Sequence, residues 1–133
     1  MPQTRPHPSI LDLDYLDRQT FGDHQLARDL LVLFDGQCAR LVPLMTGECP
    51  RGERAEAAHA LTGAARAVGA YRIASLATEL EACLGAAGKE GRADPVSAAM
   101  MEASAEVRLA LRRYLAETAS SGTSDLAKPN RVA

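Results

Sequence analysis

The chain contains no tryptophan, and aromatic residues make up only 4% of its 133 positions. Large rings therefore do not fill its interior. β-Branched residues are sparse as well, which argues against an extended sheet. No uninterrupted apolar run approaches the ~20 residues of a bilayer span. The opening Met1-Pro2-Gln3-Thr4-Arg5-Pro6-His7-Pro8 lacks the apolar stretch of a secretory signal. The expected location is the cytoplasm, with no membrane contact. The formal net charge is −2, so the positive excess that grips nucleic acid is missing. Three widely spaced cysteines, Cys38, Cys49 and Cys83, give neither a zinc pattern nor an even disulfide framework. Reduced thiols are expected, with Cys83 in the core. There is no carboxylate cluster for a metal and no glycine-rich nucleotide loop, so no cofactor is expected.

What the chain does have is alanine and leucine, both strong helix formers. Apolar residues make up 47% of it, enough for one folded domain. The pattern divides into a proline-rich flexible arm over residues 1–9, one domain over 10–118, and a flexible tail over 119–133. A short helix is expected at Leu13–Gln19, with Leu13 and Leu16 inward. Asp23 is a plausible N-cap for a second helix. Its apolar stripe is read as Leu26, Leu30, Leu33, Leu41 and Leu44, interrupted by Gln37. Pro43 and the stretch from Thr46 to Gly52 bring that helix to an end. A third helix is predicted from Glu53 to Val68, closed by Gly69. The fourth is predicted from Tyr71 to Ala86, with Ile73, Leu76, Ala77, Leu80 and Leu84 inward. Gly85, Gly88 and Gly91 mark a loop, and Asp94-Pro95 opens the last helix. The stripe there is Val96, Met100, Ala103, Val107, Leu111 and Tyr114. The expected fold is all-α, an antiparallel up-and-down four-helix bundle with a short extra N-terminal helix.

The third helix singles out one residue. With His59 at zero and ~100° per residue, Leu61, Ala65, Val68 and Ala58 fall between ~180° and ~260°. They form the buried side, so His59 points outward. Arg66 and Gly63 lie within ~40° of it and Thr62 within ~60°. A glycine inside a helix costs roughly 1 kcal/mol relative to alanine. Gly63 sits on the outer face, where close approach of another molecule beside the imidazole would account for it. His7, in the arm, and His24, at a helix start, have no such setting.

The run Ala58-His59-Ala60-Leu61-Thr62-Gly63-Ala64-Ala65-Arg66-Ala67-Val68-Gly69-Ala70 resembles the signature of histidine-containing phosphotransfer (HPt) domains. His59, Leu61, Gly63, Ala64 and Gly69 match that signature. The resemblance continues through Leu76 and Leu80-Glu81, and backwards through Leu13-Asp14-Tyr15-Leu16 and Thr20-Phe21-Gly22-Asp23. It covers about residues 10–118. One position departs: the family's lysine three residues after the histidine is Thr62 here, and Arg66, a further turn along, could take over its charge.

The resemblance implies a stoichiometric phosphocarrier, with His59 as phosphoacceptor and no ATP binding or turnover of its own. It implies a place in a two-component phosphorelay. The partners would be receiver domains of response regulators and hybrid histidine kinases, which bring the acceptor aspartate and its magnesium. Glu81 falls where a polar side chain on the neighbouring helix orients the imidazole in HPt domains. A carboxylate accepting from one ring nitrogen would leave the other as nucleophile. Abundant alanine and arginine hint at a GC-rich bacterial genome. Two alternatives stand beside this reading. One is a bundle adaptor that binds a signalling partner without carrying phosphate. The other is a dimeric kinase-type bundle, which would need two chains and an ATP-binding domain. Four amphipathic helices in one chain favour a monomer.

Overall fold

A computed structural model describes residues 5–85 and 90–126, with side chains in the second stretch from 93 to 119. The order is α1 (Leu13–Gln19), α2 (His24–Thr46), α3 (Arg51–Val68), α4 (Tyr71–Gly85) and α5 (Glu90–Leu126). α2 packs on α3, α3 on α4, α4 on α5, and α5 back on α2. Four helices thus close a bundle within one chain, and the short α1 lies against α2 and α3.

The core is made of small and branched aliphatic side chains around a single phenylalanine, Phe34. Leu61, Ala65 and Val68 of α3 are buried, as are Ile73, Ala77, Leu80 and Cys83 of α4. α5 contributes Val96, Met100, Ala103, Val107 and Leu111, with Tyr114 partly buried behind them. Burial pushes the Cys38 thiol up to about 12, so it packs as a small hydrophobe.

The α2 stripe differs from the sequence expectation. The buried line is Ala27, Leu31, Phe34, Cys38, Leu41, Val42 and Met45. Leu26, Leu33 and Leu44 remain 42%, 58% and 41% exposed. Both lines step by three and four, so spacing alone could not separate them. The buried one is unbroken and holds the helix's aromatic residue, whereas the other is interrupted by Gln37.

The helix ends are also informative. Asp23 caps α2 by accepting from the Leu26 N–H, as expected. Pro43 lies inside α2, which continues to Thr46. The turn follows at Gly47, where a Cβ would come within 2.6 Å of the Pro43 carbonyl oxygen. That close approach requires glycine. α5 begins at Glu90, so Gly91 is helical and Asp94 is not its cap. Pro95 sits inside the helix. It is the sixth residue of α5, past the first turn, so it forfeits the backbone bond an N–H there would make to the Gly91 carbonyl. The expected turn at Gly88 lies outside the described residues.

The described parts of both expected termini, residues 5–9 and 119–126, carry more structure than their composition suggests. Arg5 pairs with Asp14 at 2.8 Å, and the Ser9 carbonyl accepts from the Arg72 N–H. α5 runs through Leu126, past the expected domain limit at 118. Arg28 of α2 reaches across to the Leu115 carbonyl (2.8 Å) and to the Thr118 hydroxyl. Residues 1–4 and 127–133 of the expected arm and tail lie outside the described residues.

α1 is positioned by the α3–α4 turn. Gly69 takes φ +81 and closes α3, its N–H and that of Ala70 bonding to Arg66 and Ala65 carbonyls. Its own carbonyl accepts from the Asp12 N–H at 3.0 Å. Asp12 caps α1 through the Tyr15 N–H, and Tyr15 meets Tyr71 edge-on with centroids 5.8 Å apart. This latch fixes the start of α4 against the end of α3, and with it the relative placement of side chains along both helices.

Candidate functional site

His59 stands two turns into α3 with its side chain 79% exposed. Ala58 and Leu61, on either side of it, are fully buried. The helix is thus anchored by its neighbours while the imidazole faces solvent. Glu81 of α4 comes alongside. Its two carboxylate oxygens lie 3.1 and 3.3 Å from Nδ1 of the ring. A carboxylate can only accept, so Nδ1 carries the hydrogen and donates. In the neutral ring that leaves the lone pair on Nε2, on the far side from Glu81 and toward water. The contact thus fixes the tautomer of the neutral ring and leaves Nε2 open to solvent.

Gly63 is one turn along, and a Cβ built there meets nothing within 4 Å. Helix–helix packing is therefore not the reason for a glycine at this place. Ala60 and Ala67 are exposed on the same helix. The surface beside the imidazole is consequently low.

Thr62 does not share that surface. It is only 7% exposed, its hydroxyl donating to the Ala58 carbonyl at 2.9 Å and lying 3.4 Å from the Thr78 hydroxyl. The expected outward orientation is corrected by the α3–α4 contact, which comes closer around α3 than an ideal wheel suggests. Arg66 is exposed, on the α4 side of α3. It lines a shallow groove of about 420 Å³ with Tyr71, Ser75, Thr78 and Glu79. No hydrogen bond or ion pair among the described residues joins it to His59 or Glu81. The structure brings His59, Glu81 and Gly63 together and sets Arg66 apart along the groove. Thr78, the partner of Thr62, was not legible in the sequence, because its role depends on the register between α3 and α4.

Among the described residues no cluster of three or more His, Cys, Asp or Glu side chains could hold a metal ion. Likewise, no described helix is long and apolar enough to cross a membrane. A closed four-helix bundle that turns a carboxylate-oriented histidine to solvent is an arrangement suited to a histidine carrier. The family model for the Hpt domain matches residues 25–121, from the start of α2 far into α5 and well over half of the chain. The chain belongs to the Hpt domain family. No curated protein and no solved structure matches it. Membership makes it a phosphocarrier of histidine phosphotransfer in a phosphorelay, with receiver domains as its general kind of partner and no independent turnover.

Proposed function

We propose that His59 is the phosphoacceptor and that Nε2 is the atom that carries the phosphoryl group. The observation that supports this is the Glu81 carboxylate at 3.1 Å from Nδ1. In the transfer, the Nε2 lone pair attacks the phosphorus of a receiver's aspartyl phosphate. The P–O bond to the aspartate breaks, and the aspartate leaves as a carboxylate with the electron pair. The ring keeps its Nδ1–H and gains positive charge, which Glu81 balances through a charge-assisted hydrogen bond. In the reverse direction the same contact holds the ring protonated at Nδ1, so that it departs from phosphorus as neutral imidazole. Glu81 is thus a positioning residue for both directions.

Phosphoryl transfer rests mainly on placement and charge stabilisation. Gly63 keeps the approach to Nε2 open. Arg66 supplies the positive charge that relatives place at the position of Thr62, its long side chain reaching phosphoryl oxygens once the partner is bound. The chain acts in the cytoplasm as a monomer, in a bacterial two-component relay with response regulators and hybrid kinases at either side. Closure of the bundle by one chain's own helices supports the monomer.

Phosphorylation by phosphoramidate, followed by phosphorus and nitrogen NMR, tests the atom assignment. The label is expected on Nε2 of His59. Phosphorylation at Nδ1, or on a different residue, contradicts it.

A further inference from the structure

The first half of α3 carries Arg51, Glu53, Arg54 and Glu56, and their charges are not arranged as pairs. Arg51 donates to the Leu84 and Cys83 carbonyls of α4. Arg54 donates to the Met45 carbonyl of α2 and the Ser97 hydroxyl of α5. Both guanidiniums are thereby turned to neighbouring helices. Glu53 lies in the first turn, where the unbonded N–H groups of a helix start favour a carboxylate. Glu56 has no such reason for its place. It lies past the first turn, is exposed, and is joined by no hydrogen bond or ion pair among the described residues.

Helix neighbours stand three and four positions apart. For Glu56 these are Gly52, Glu53, His59 and Ala60. None is a lysine or arginine, so the helix sets no permanent cation beside it. His59 is one turn on, ~60° around the helix, with Cβ atoms ~5–6 Å apart. Positive charge is further away. Thr62 is buried and neutral, and Arg66 lies ~10 Å along the axis, in the α3–α4 groove. Glu81 is committed to the ring hydrogen on Nδ1. On the outward face of α3, the charge nearest His59 is therefore the Glu56 carboxylate.

We infer that Glu56 raises the phosphoryl-transfer potential of His59 and so tilts the exchange toward the receiver's aspartyl phosphate. The inference rests on His59 being the phosphoacceptor. A phosphoryl group adds about −1.5 to −2 of charge near pH 7. The ring, positive once Nε2 has given up its lone pair, offsets only part of it. In the onward step a carboxylate oxygen of the receiver's aspartate attacks phosphorus. The P–Nε2 bond breaks, its electron pair returns to the ring, and the phosphoryl charge leaves the neighbourhood of Glu56. Repulsion is thus present on one side of the equilibrium and absent on the other. For a unit of net charge ~6–7 Å from a carboxylate in water, that is roughly a three- to fivefold bias at low salt. Glu56 touches no reacting atom and acts through its field on the phosphorylated form.

The test is the equilibrium constant for phosphoryl exchange with a receiver, approached from both directions and at concentrations where both proteins are free. An equilibrium between free species does not depend on how tightly their complex holds, so a role of Glu56 in docking would not move it. Glu56→Gln keeps the length and helix propensity of the side chain. It should shift the constant about three- to fivefold toward phosphohistidine at ~0.01 M ionic strength, where the Debye length is ~30 Å. At ~1 M, where that length is ~3 Å, the shift should fall below about 1.5-fold. Glu56→Lys reverses the charge and should give about tenfold at low ionic strength. Glu56→Asp keeps the charge and should stay within about twofold of wild type. An unchanged constant in Glu56→Gln, a shift that persists at high salt, or an equal shift in Glu56→Asp overturns the inference. Phosphoramidate labelling of the wild type separates the two claims. If the wild type is labelled and Glu56→Gln shares its equilibrium, only the role of Glu56 fails. If the wild type takes label from neither phosphoramidate nor receiver, the phosphoacceptor assignment fails and the role of Glu56 falls with it.

Discussion

Nδ1 of His59 and the carboxylate of Glu81 meet across the α3–α4 interface at 3.1 Å, although 22 residues separate them in the chain. The contact depends on the latch that holds α4 against the end of α3. It also decides which ring nitrogen is free.

Replacing Glu81 should therefore affect the reaction and not the fold. Its side chain is 37% exposed. Solvent weakens the contact, and a loss of about 1 kcal/mol, or roughly fivefold in rate, is expected for Glu81→Ala. Glu81→Gln should fall between, since its amide oxygen still accepts but carries no charge. The readouts are transfer rate at saturating phospho-receiver, together with the ring tautomer by nitrogen NMR. An unchanged rate and tautomer in Glu81→Ala would return Glu81 to the role of a solvated surface residue.

Gly63 offers a cleaner separation of folding from access. A Cβ at this position meets open space. Gly63→Ala should stabilise the helix by up to ~1 kcal/mol, measurable by urea unfolding. Gly63→Gln should also fold, yet transfer slowly, because its side chain stands over the approach to Nε2. Normal transfer by the glutamine variant would remove the argument for access.

The sequence carried the bundle and the histidine because both are written as local periodicity. Leu61, Ala65 and Val68 recur at helical spacing, and their burial turns His59 outward. The cap at Asp23 and the left-handed glycine at Gly69 are equally local signals. Thr62 and the α2 leucines were misplaced for the opposite reason. Which flank of a helix is covered depends on where its neighbours sit, and a wheel holds no neighbours. Pro95 is a similar case: a proline favours a first turn without requiring one, and α5 already begins at Glu90.

Arg66 tests the charge balance. It is exposed and belongs to no ion pair among the described residues, so Arg66→Ala should leave stability nearly unchanged. Transfer should slow by about fivefold at low salt, on the order of 1 kcal/mol, and by less at moderate salt. Thr62→Lys in that background should restore part of the rate. A lysine stem can run out along the α4 surface and bring its ammonium to solvent. Wild-type rates in Arg66→Ala at low salt would mean that the partner alone balances the phosphoryl charge.

Gly69 tests the latch. Alanine there would adopt φ +81 with its Cβ 3.0 Å from the Asp12 carbonyl oxygen and 3.1 Å from the Tyr15 ring. Strain and crowding act together, so Gly69→Ala should destabilise by roughly 1–3 kcal/mol. A urea midpoint equal to that of wild type would show that α1 yields freely and that the latch does not fix the turn.

The central claim is that His59 carries the phosphoryl group, and the most direct measurement is label transfer from a phosphorylated receiver. Wild-type protein should take up label that is lost in acid and kept in base, and His59→Gln, equally folded by circular dichroism, should take up none. Label retained in His59→Gln, or absent from the wild type with receivers that do phosphorylate other Hpt domains, would contradict it.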